Sequence, residues 1–158
     1  MRAISIQEHN FDLGTEEAAA AEHAVNCGAV VAFVGRVRGK DTAQPLTHLY
    51  VEHFAGVTEA EIDKIILAAE ARWPLSYVKV IHRIGNLAAG ENIVMVLTAS
   101  EHRKDAFNAN TFIMDYLKTE APFWKKEYFA NGVANWVDMK QSDIASQQAW
   151  DKDLDHEA

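Results

Sequence analysis

The sequence predicts an α+β domain with a mostly antiparallel sheet and helices packed against it. Three observations predict this class. Runs of helical periodicity alternate with short apolar or alternating runs that read as strands. A short polar loop joins the strand patterns at 29–37 and 46–53, which makes them antiparallel neighbours. An Asn-Gly dipeptide, Asn131-Gly132, sits between two further alternating runs, a strong hairpin signal. At 158 residues the chain suits one domain, 1–158, with a real core. No repeat, linker or low-complexity stretch divides it.

Residues 3–7 alternate weakly and are expected to form an edge strand. Thr15 is the expected N-cap of the run TEEAAAAEHAVNC, with Glu16 and Glu17 where the helix dipole favours acids. Gly28 ends it. AVVAFVGRV (29–37) is apolar and β-branched, the pattern of a buried strand. At its end, period two sets Arg36 and Arg38 on one side, separated by Val37. Residues 39–45 form a polar loop, and loops on a rigid strand often carry binding groups. LTHLYVEH (46–53) is the returning strand.

Thr58-Glu59-Ala60-Glu61 is a capping-box pattern that opens a helix through about Arg72. Ile62, Ile65, Ile66 and Ala69 give its buried face, and Trp73-Pro74 ends it. YVKVIHRIG (77–85) sets Val78, Val80 and Ile84 against Lys79, His82 and Arg83. After a GNLAAG turn, NIVMVLTAS (92–100) reads as a central strand. Ser100 is the expected N-cap of SEHRKDAFNANTFIMDYLK, whose packing face is Ala106, Phe107, Ile113, Met114 and Leu117. His102, Arg103 and Lys104 fall in its first turn, where cations oppose the dipole. A local rule broken three times at one place points to function, or to neutralisation by tertiary acids. In the hairpin, Phe123, Lys125 and Glu127 share one face; Trp124, Lys126 and Tyr128 share the other. Ser142 is expected to cap a polar helix that frays into an acidic tail at about 151–158.

The stretch FIMDYLKTEAPFWKK (112–126) carries the strongest functional signal. Pro122 cannot continue a helix and biases Ala121 toward extended geometry. The helix should therefore stop near Thr119. Lys118 lies in its last turn; Lys125 and Lys126 lie past the break. Lys118 and Lys125 can then face one pocket walled by Phe112, Met114, Phe123 and Trp124. A doubly cationic pocket is costly unless an anion fills it. A lysine in it should have a lowered pKa, which makes a neutral amine accessible. The plain alternative is a solvated lysine pair at a helix C-terminus.

Other chemistries lack their signatures. The formal net charge is −8, against the basic surplus of a nucleic-acid binder. Basic residues nevertheless cluster at 36–40, 103–104 and 118–126, which suits a small anionic ligand or a short acidic partner tail. No apolar run is long enough for a membrane span, and the N-terminus lacks the apolar block of a signal peptide. The single Cys27, read as an inert thiol, excludes an internal disulfide and fits a reducing cytoplasm. The histidines show no metal-ligand spacing, and His48, His53 and His82 read as structural or surface residues. No nucleotide-cradling glycine loop and no GxSxG elbow is present.

The blocks VAFVGRVR, LYVEHFAGVTE, RWPLSYVKVIHRIG, Glu101-His102-Arg103 and FIMDYLKTEAPFWKKE, in that order, closely resemble the large, catalytic subunits of molybdopterin synthase. The resemblance runs from about Gly28 to Asp143. It implies an α/β-hammerhead fold and a place in molybdenum cofactor biosynthesis. A small ubiquitin-like sulfur-carrier subunit would bring a C-terminal Gly-Gly thiocarboxylate. Its sulfur would pass, twice, to cyclic pyranopterin monophosphate to make the dithiolene of molybdopterin. The large subunits would form a homodimer within a heterotetramer, with no metal or nucleotide cofactor.

By the same resemblance the substrate-binding arginine falls on Arg38, with Arg36 and Val37 beside it. His102 and Arg103 would reach the pocket of the neighbouring protomer. Lys118 would lie where the partner's tail enters and assist attack on the thiocarboxylate. Lys125 and Arg38 would hold the phosphate, with Lys126 and Glu127 following in the same block. There are departures: the hairpin around 128–135 differs in length, the loop 39–45 is variable, and Lys140 stands where an arginine is frequent. Two rival readings use the same residues: a non-catalytic scaffold that binds a phosphate or a protein tail, and a lysine-dependent acyl or phosphoryl transferase.

Overall fold

The computed structural model describes residues 1–39 and 44–157. In chain order the elements are β1 (Arg2–Gln7), α1 (Leu13–His23), β2 (Ala29–Arg36), β3 (Leu46–His53), α2 (Val57–Arg72) and β4 (Tyr77–Arg83). They continue with β5 (Gly85–Ala88), β6 (Asn92–Ser100), α3 (Arg103–Leu117), β7 (Phe123–Phe129), β8 (Ala134–Trp136) and α4 (Gln141–Glu157). The architecture is mixed α+β. One four-stranded sheet has the order β1-β4-β6-β2, with β1 parallel to β4 and the other pairs antiparallel. The other, β5-β3-β7-β8, is antiparallel throughout.

β4 and β6 lie at the centre of the first sheet because both their faces are apolar. On one face Val78, Val80, Val94 and Val96 pack against Ile62, Ile66 and Ala69 of α2 and Phe112, Ile113 and Leu117 of α3. On the other, Tyr77, Ile81, Met95 and Leu97 pack with Phe11 and with Ala20 and Ala24 at α1. A third cluster, Val37, Leu49, Val51 and Leu87, fills the second sheet. The buried Asn110 ties α3 to the first sheet: its Nδ2 donates to the carbonyls of Val96 (2.9 Å) and Val31 (3.1 Å).

Several sequence expectations change. β3 does not return beside β2 but crosses to the second sheet, between β5 and β7. The loop is long enough to change sheets, and a register shift at Gly35/Arg36 comes just before the first pairing ends at Arg36. β2 is therefore an edge strand and not a buried one, with Val30 40% and Phe33 41% exposed. GNLAAG is not only a turn, since its first four residues are β5. The phase of β4 also differs: His82 shares the face of Val78 and Val80, while Arg83 is buried and donates to the Glu8 and Asn92 carbonyls.

The caps shift as well. Asp12 caps α1, accepting from Thr15 N–H at 2.8 Å, and the helix ends at His23, before Gly28. Gly56, at φ +83°, precedes α2, and Glu59 accepts from its N–H at 2.6 Å. Thr58 is buried instead, and its hydroxyl donates to the Pro122 carbonyl. Ser100 ends β6 and donates to the Pro74 carbonyl, so His102 is the N-cap of α3. Phe107 is 58% exposed, and Asn110 and Phe112 take its expected inner place. α4 starts at Gln141, ahead of Ser142, and stays helical to Glu157 where fraying was expected.

α4 is held by one aromatic anchor. Trp150 meets Trp73 and Phe112 edge-on at 5.6 and 5.4 Å and donates Nε1–H to Asp115 Oδ2 at 2.7 Å. The Arg72 guanidinium lies 5.0–5.4 Å from all three rings. Trp150→Ala should cost about 2 kcal/mol, half a fully buried aromatic, and lower Tm by several degrees. Amide exchange in α4 should accelerate before exchange in α3. An unchanged melting curve would overturn the anchor.

Candidate active site: a cationic cavity below helix α3

Where α3 ends, the apolar face of the first sheet runs out and a cavity of about 300 Å³ opens. Its floor is His82 of β4 with Ile93 and Val94 of β6. Gly35 and Arg36 at the end of β2 form one side. Met114 and Leu117 with the following Lys118 and Thr119 form a second, and Phe123 and Lys125 of β7 a third. Residues 137–140 and Asp143 of α4 close the outside.

The proline break does what its chemistry dictates. α3 ends at Leu117, and Lys118 is its C-cap, with its N–H on the Met114 carbonyl at 3.1 Å. A cation there complements the unpaired carbonyl end of the helix. The chain turns through Pro122 into β7, whose alternation directs Phe123 and Lys125 inward. Lys118 and Lys125 thus share the cavity with Arg36, whose Nε donates to Asn92 Oδ1 at 3.1 Å. Lys140 adds a fourth cation, against the carboxylates of Asp138 and Asp143.

Two groups are tuned by this setting. Burial lowers the Lys125 pKa from 10.5 to about 8; Lys118 and Lys140 push it the same way, and Asp143 opposes them. His82 is driven down to about 3, first by burial and then by Lys125, with Lys118 and His53 adding to it, while its bond to the Arg83 backbone opposes. His82 is therefore neutral at ordinary pH. Its Nδ1 lies 2.8 Å from the Arg83 carbonyl oxygen, which can only accept, so Nδ1 carries the proton. The ring stacks on Phe123 with centroids 3.7 Å apart.

The other candidate residues lie elsewhere in this chain. Val37 is buried in the third cluster, and Arg38 is exposed beyond it and does not line the cavity. Lys126 points to the opposite face of β7, over the rings of Tyr128 and Trp136. Glu127 pairs with Leu49 and Asn135 and lies outside the lining. Exposed His102 and Arg103 begin α3, outside the cavity lining, and Lys118 lies about 22 Å further along the helix axis from Arg103. Of the expected walls, Phe112 is core and Trp124 is 46% exposed on the outer face. Residues 40–43 of the variable loop, Lys40 included, fall outside the described residues.

Sequence reasoning passed over His82, Asp138 and Asp143. The signal for His82 was present: strict period two places it with Val78 and Val80, a polar group in an apolar row. Asp138, just before α4, and Asp143, in its first turn, had no such signal, because only the docking of that part of the chain brings them in. Among the described residues, no group of three or more His, Cys, Asp or Glu is placed to hold a metal. Nor is any helix among them long and apolar enough to cross a membrane.

A cavity with four cationic side chains, one of them a desolvated amine, on an α+β scaffold suits the class of proteins that bind a small anion and transfer a group to or from it. The family model described as MoaE protein matches residues 6–120. The molybdopterin synthase catalytic subunit of Pseudomonas aeruginosa is 47% identical over 150 residues, covering 95% of this chain and 99% of that one. The molybdopterin biosynthesis MoaE protein from Burkholderia ambifaria superposes with a TM-score of 0.81 at 43% identity, over 95% of this chain and 98% of that one. Molybdopterin synthase from Staphylococcus aureus superposes at 0.76 with 28% identity, over 85% and 96%. The chain belongs to the MoaE family, that of the molybdopterin synthase catalytic subunits.

The depressed Lys125 pKa has a consequence for stability. Folded Lys125 loses its proton near pH 8, whereas an unfolded lysine keeps it to 10.5. The buried charge therefore destabilises the fold at neutral pH, and the penalty lifts as pH rises from 8 toward 10.5. Lys125→Met should be the more stable protein at pH 7 by about 1 kcal/mol, with the gap closing by about pH 10. Urea unfolding at both pH values checks this. A methionine variant less stable than the parent at pH 7 would contradict it.

Proposed function

We propose that this chain is the catalytic subunit of a molybdopterin synthase acting in the cytoplasm. It moves sulfur from the Gly-Gly thiocarboxylate of a small ubiquitin-like carrier to cyclic pyranopterin monophosphate, twice. The observation that carries the reading is desolvated Lys125 beside Lys118 in a cavity whose surplus positive charge calls for an anion.

The roles follow from position. Arg36 and Lys140, which line the cavity, hold the phosphate through charge-assisted bonds, the part that the resemblance gave to Lys125 and Arg38. Exposed Lys118 meets the incoming tail and stabilises negative charge developing on its acyl oxygen. The thiocarboxylate sulfur attacks an oxygen-bearing electrophilic carbon of the substrate. The new C–S bond forms as that carbon's C–O bond breaks, and the electron pair leaves on the oxygen, which departs as phosphate or, once protonated, as water. A thioester then joins tail and substrate. Water then attacks the acyl carbon. The acyl C–S bond breaks, its electron pair stays on sulfur, and the tail leaves as a carboxylate. Lys125 in its neutral form takes the proton from that water. No net oxidation occurs.

A second copy completes the site. β2 is an edge strand, paired with β6 on one side only, with Val30 and Phe33 exposed. Its end at Gly35–Arg36 borders the cavity. Its start borders the beginning of α3, since a Cβ on Gly28 would lie 2.5 Å from the Glu101 carbonyl oxygen. Pairing two β2 strands antiparallel about a two-fold axis sets the start of one beside the end of the other. That brings His102 and Arg103 of one copy to the cavity of its neighbour. Eight residues of strand span about 26 Å, close to the length of α3, so the two distances agree.

Purified chain, thiocarboxylated carrier and pyranopterin should yield molybdopterin, and Lys118→Ala should reduce the rate by at least about 100-fold. Binding of the carrier without sulfur transfer would support the scaffold reading instead. Lys125→Ala and Arg103→Ala should each be inactive alone. Mixed and reassorted, they should recover up to about a quarter of the parent activity, because half the dimers are mixed and each has one intact site. No recovery in demonstrated mixed dimers would sink the shared site.

A further inference from the structure

We infer that His82 is a positioning residue for Lys125: its imidazole, locked in one tautomer, offers Nε2 as a fixed acceptor that aims the lysine amine across the cavity. The inference rests on the proposed role of Lys125 as the working amine.

The case starts with placement. His82 ends an apolar row, after Val78 and Val80, where a leucine would extend the core. Burying a polar ring there costs free energy unless its polar atoms are matched. Nδ1 is matched by the Arg83 carbonyl, and the ring face by Phe123. Those two contacts fix the plane of the ring and leave Nε2 without a hydrogen-bond partner among the described residues, on a side chain that lines the cavity. With the proton on Nδ1, Nε2 of the neutral ring holds a lone pair.

Lys125 lies within reach of that ring without being hydrogen-bonded to it here: its charge is the second cause, after burial, of the lowered His82 pKa. It lies two residues from Phe123 on the same face of β7, a spacing of about 7 Å, and it lines the same cavity. The groups around the imidazole are Lys125 on β7, Lys118 at the end of α3, His53 on β3, Arg36 on β2, and Lys140 with Asp143 at the start of α4. Most are cationic, so an imidazolium would add a further positive charge to the crowd, and the neutral ring is retained. A neutral acceptor can hold an amine in both of its states, taking N–H from the ammonium and from the free amine. An unprotonated Nε2 also repels an oxyanion, which confines the phosphate of the guest to the Arg36 and Lys140 side.

Two variants separate this role from packing. His82→Leu keeps volume and removes the acceptor; His82→Gln restores an amide oxygen. The readouts are the titration of Lys125, followed by NMR with ¹³Cε-labelled lysine and assigned with Lys125→Met, and kcat and KM for sulfur transfer. In His82→Leu, Lys125 should titrate lower than in the parent by about half a pH unit or more, because the ammonium loses an acceptor. Its kcat should fall about tenfold or more with KM within about twofold, and His82→Gln should recover most of both. An unchanged Lys125 titration in His82→Leu would overturn the inference, whether kcat is retained or falls equally in both variants. Should His82→Leu not fold, the imidazole ¹⁵N shifts of the parent decide, since a protonated Nε2 at pH 7 would be fatal. The lysine titration needs no sulfur donor. A chain that shows the His82–Lys125 coupling but transfers no sulfur would sink the proposed function alone.

Discussion

The ring of Phe123 lying on the ring of His82 is the contact on which the rest depends. His82 belongs to the central strand of the first sheet and Phe123 opens β7 of the second. Phe123 also packs against both the main core cluster and the cluster of the second sheet. One stacked pair therefore joins two sheets that share no strand pairing. The joint sets the depth of the cavity, because the core ends there. It also sets the desolvation of Lys125, which follows Phe123 at the next inward position.

Charge is distributed to match. The chain is acidic overall, yet the lining of its cavity holds four cationic side chains and two carboxylates. Crowding like charges in a half-dry space costs stability, and a fold selected only for stability would relieve it with a leucine or a methionine. The cost falls on the residues that the proposed chemistry uses. Asp143 offsets part of it from α4, which makes that helix an electrostatic component of the site as well as a wall.

Much of the architecture was legible in the sequence, and the residues show why. The Pro122 break, the Asn131-Gly132 hairpin, the inner face of α2 and the apolar strand at 92–100 all follow from local rules of backbone geometry or periodicity. The misread features are those decided by distant partners. Thr58 looked like a cap but is drawn inward by the Pro122 carbonyl. Ser100 looked like a cap but is held by Pro74. Residues 46–53 carried a correct strand pattern, but nothing local says which sheet a strand joins. Of the site, Lys118, Lys125 and Arg36 were readable because a proline and a strand end direct them. Asp143 and Lys140 were not readable as one site with them, because the Trp150 anchor acts across the fold. His102 and Arg103 stand a helix away within one chain, so their expected part at the cavity rests on the proposed second copy.

The outer wall of the cavity is residues 137–140 and Asp143, the segment that leads into α4 and the first turn of that helix. A chain in which that segment is undocked would keep Lys118 and Lys125 in place but lose Lys140 and Asp143, one pushing the Lys125 pKa down and the other up. The tail end of the chain is thus a regulator of the charge balance in the cavity and not merely a cover for it.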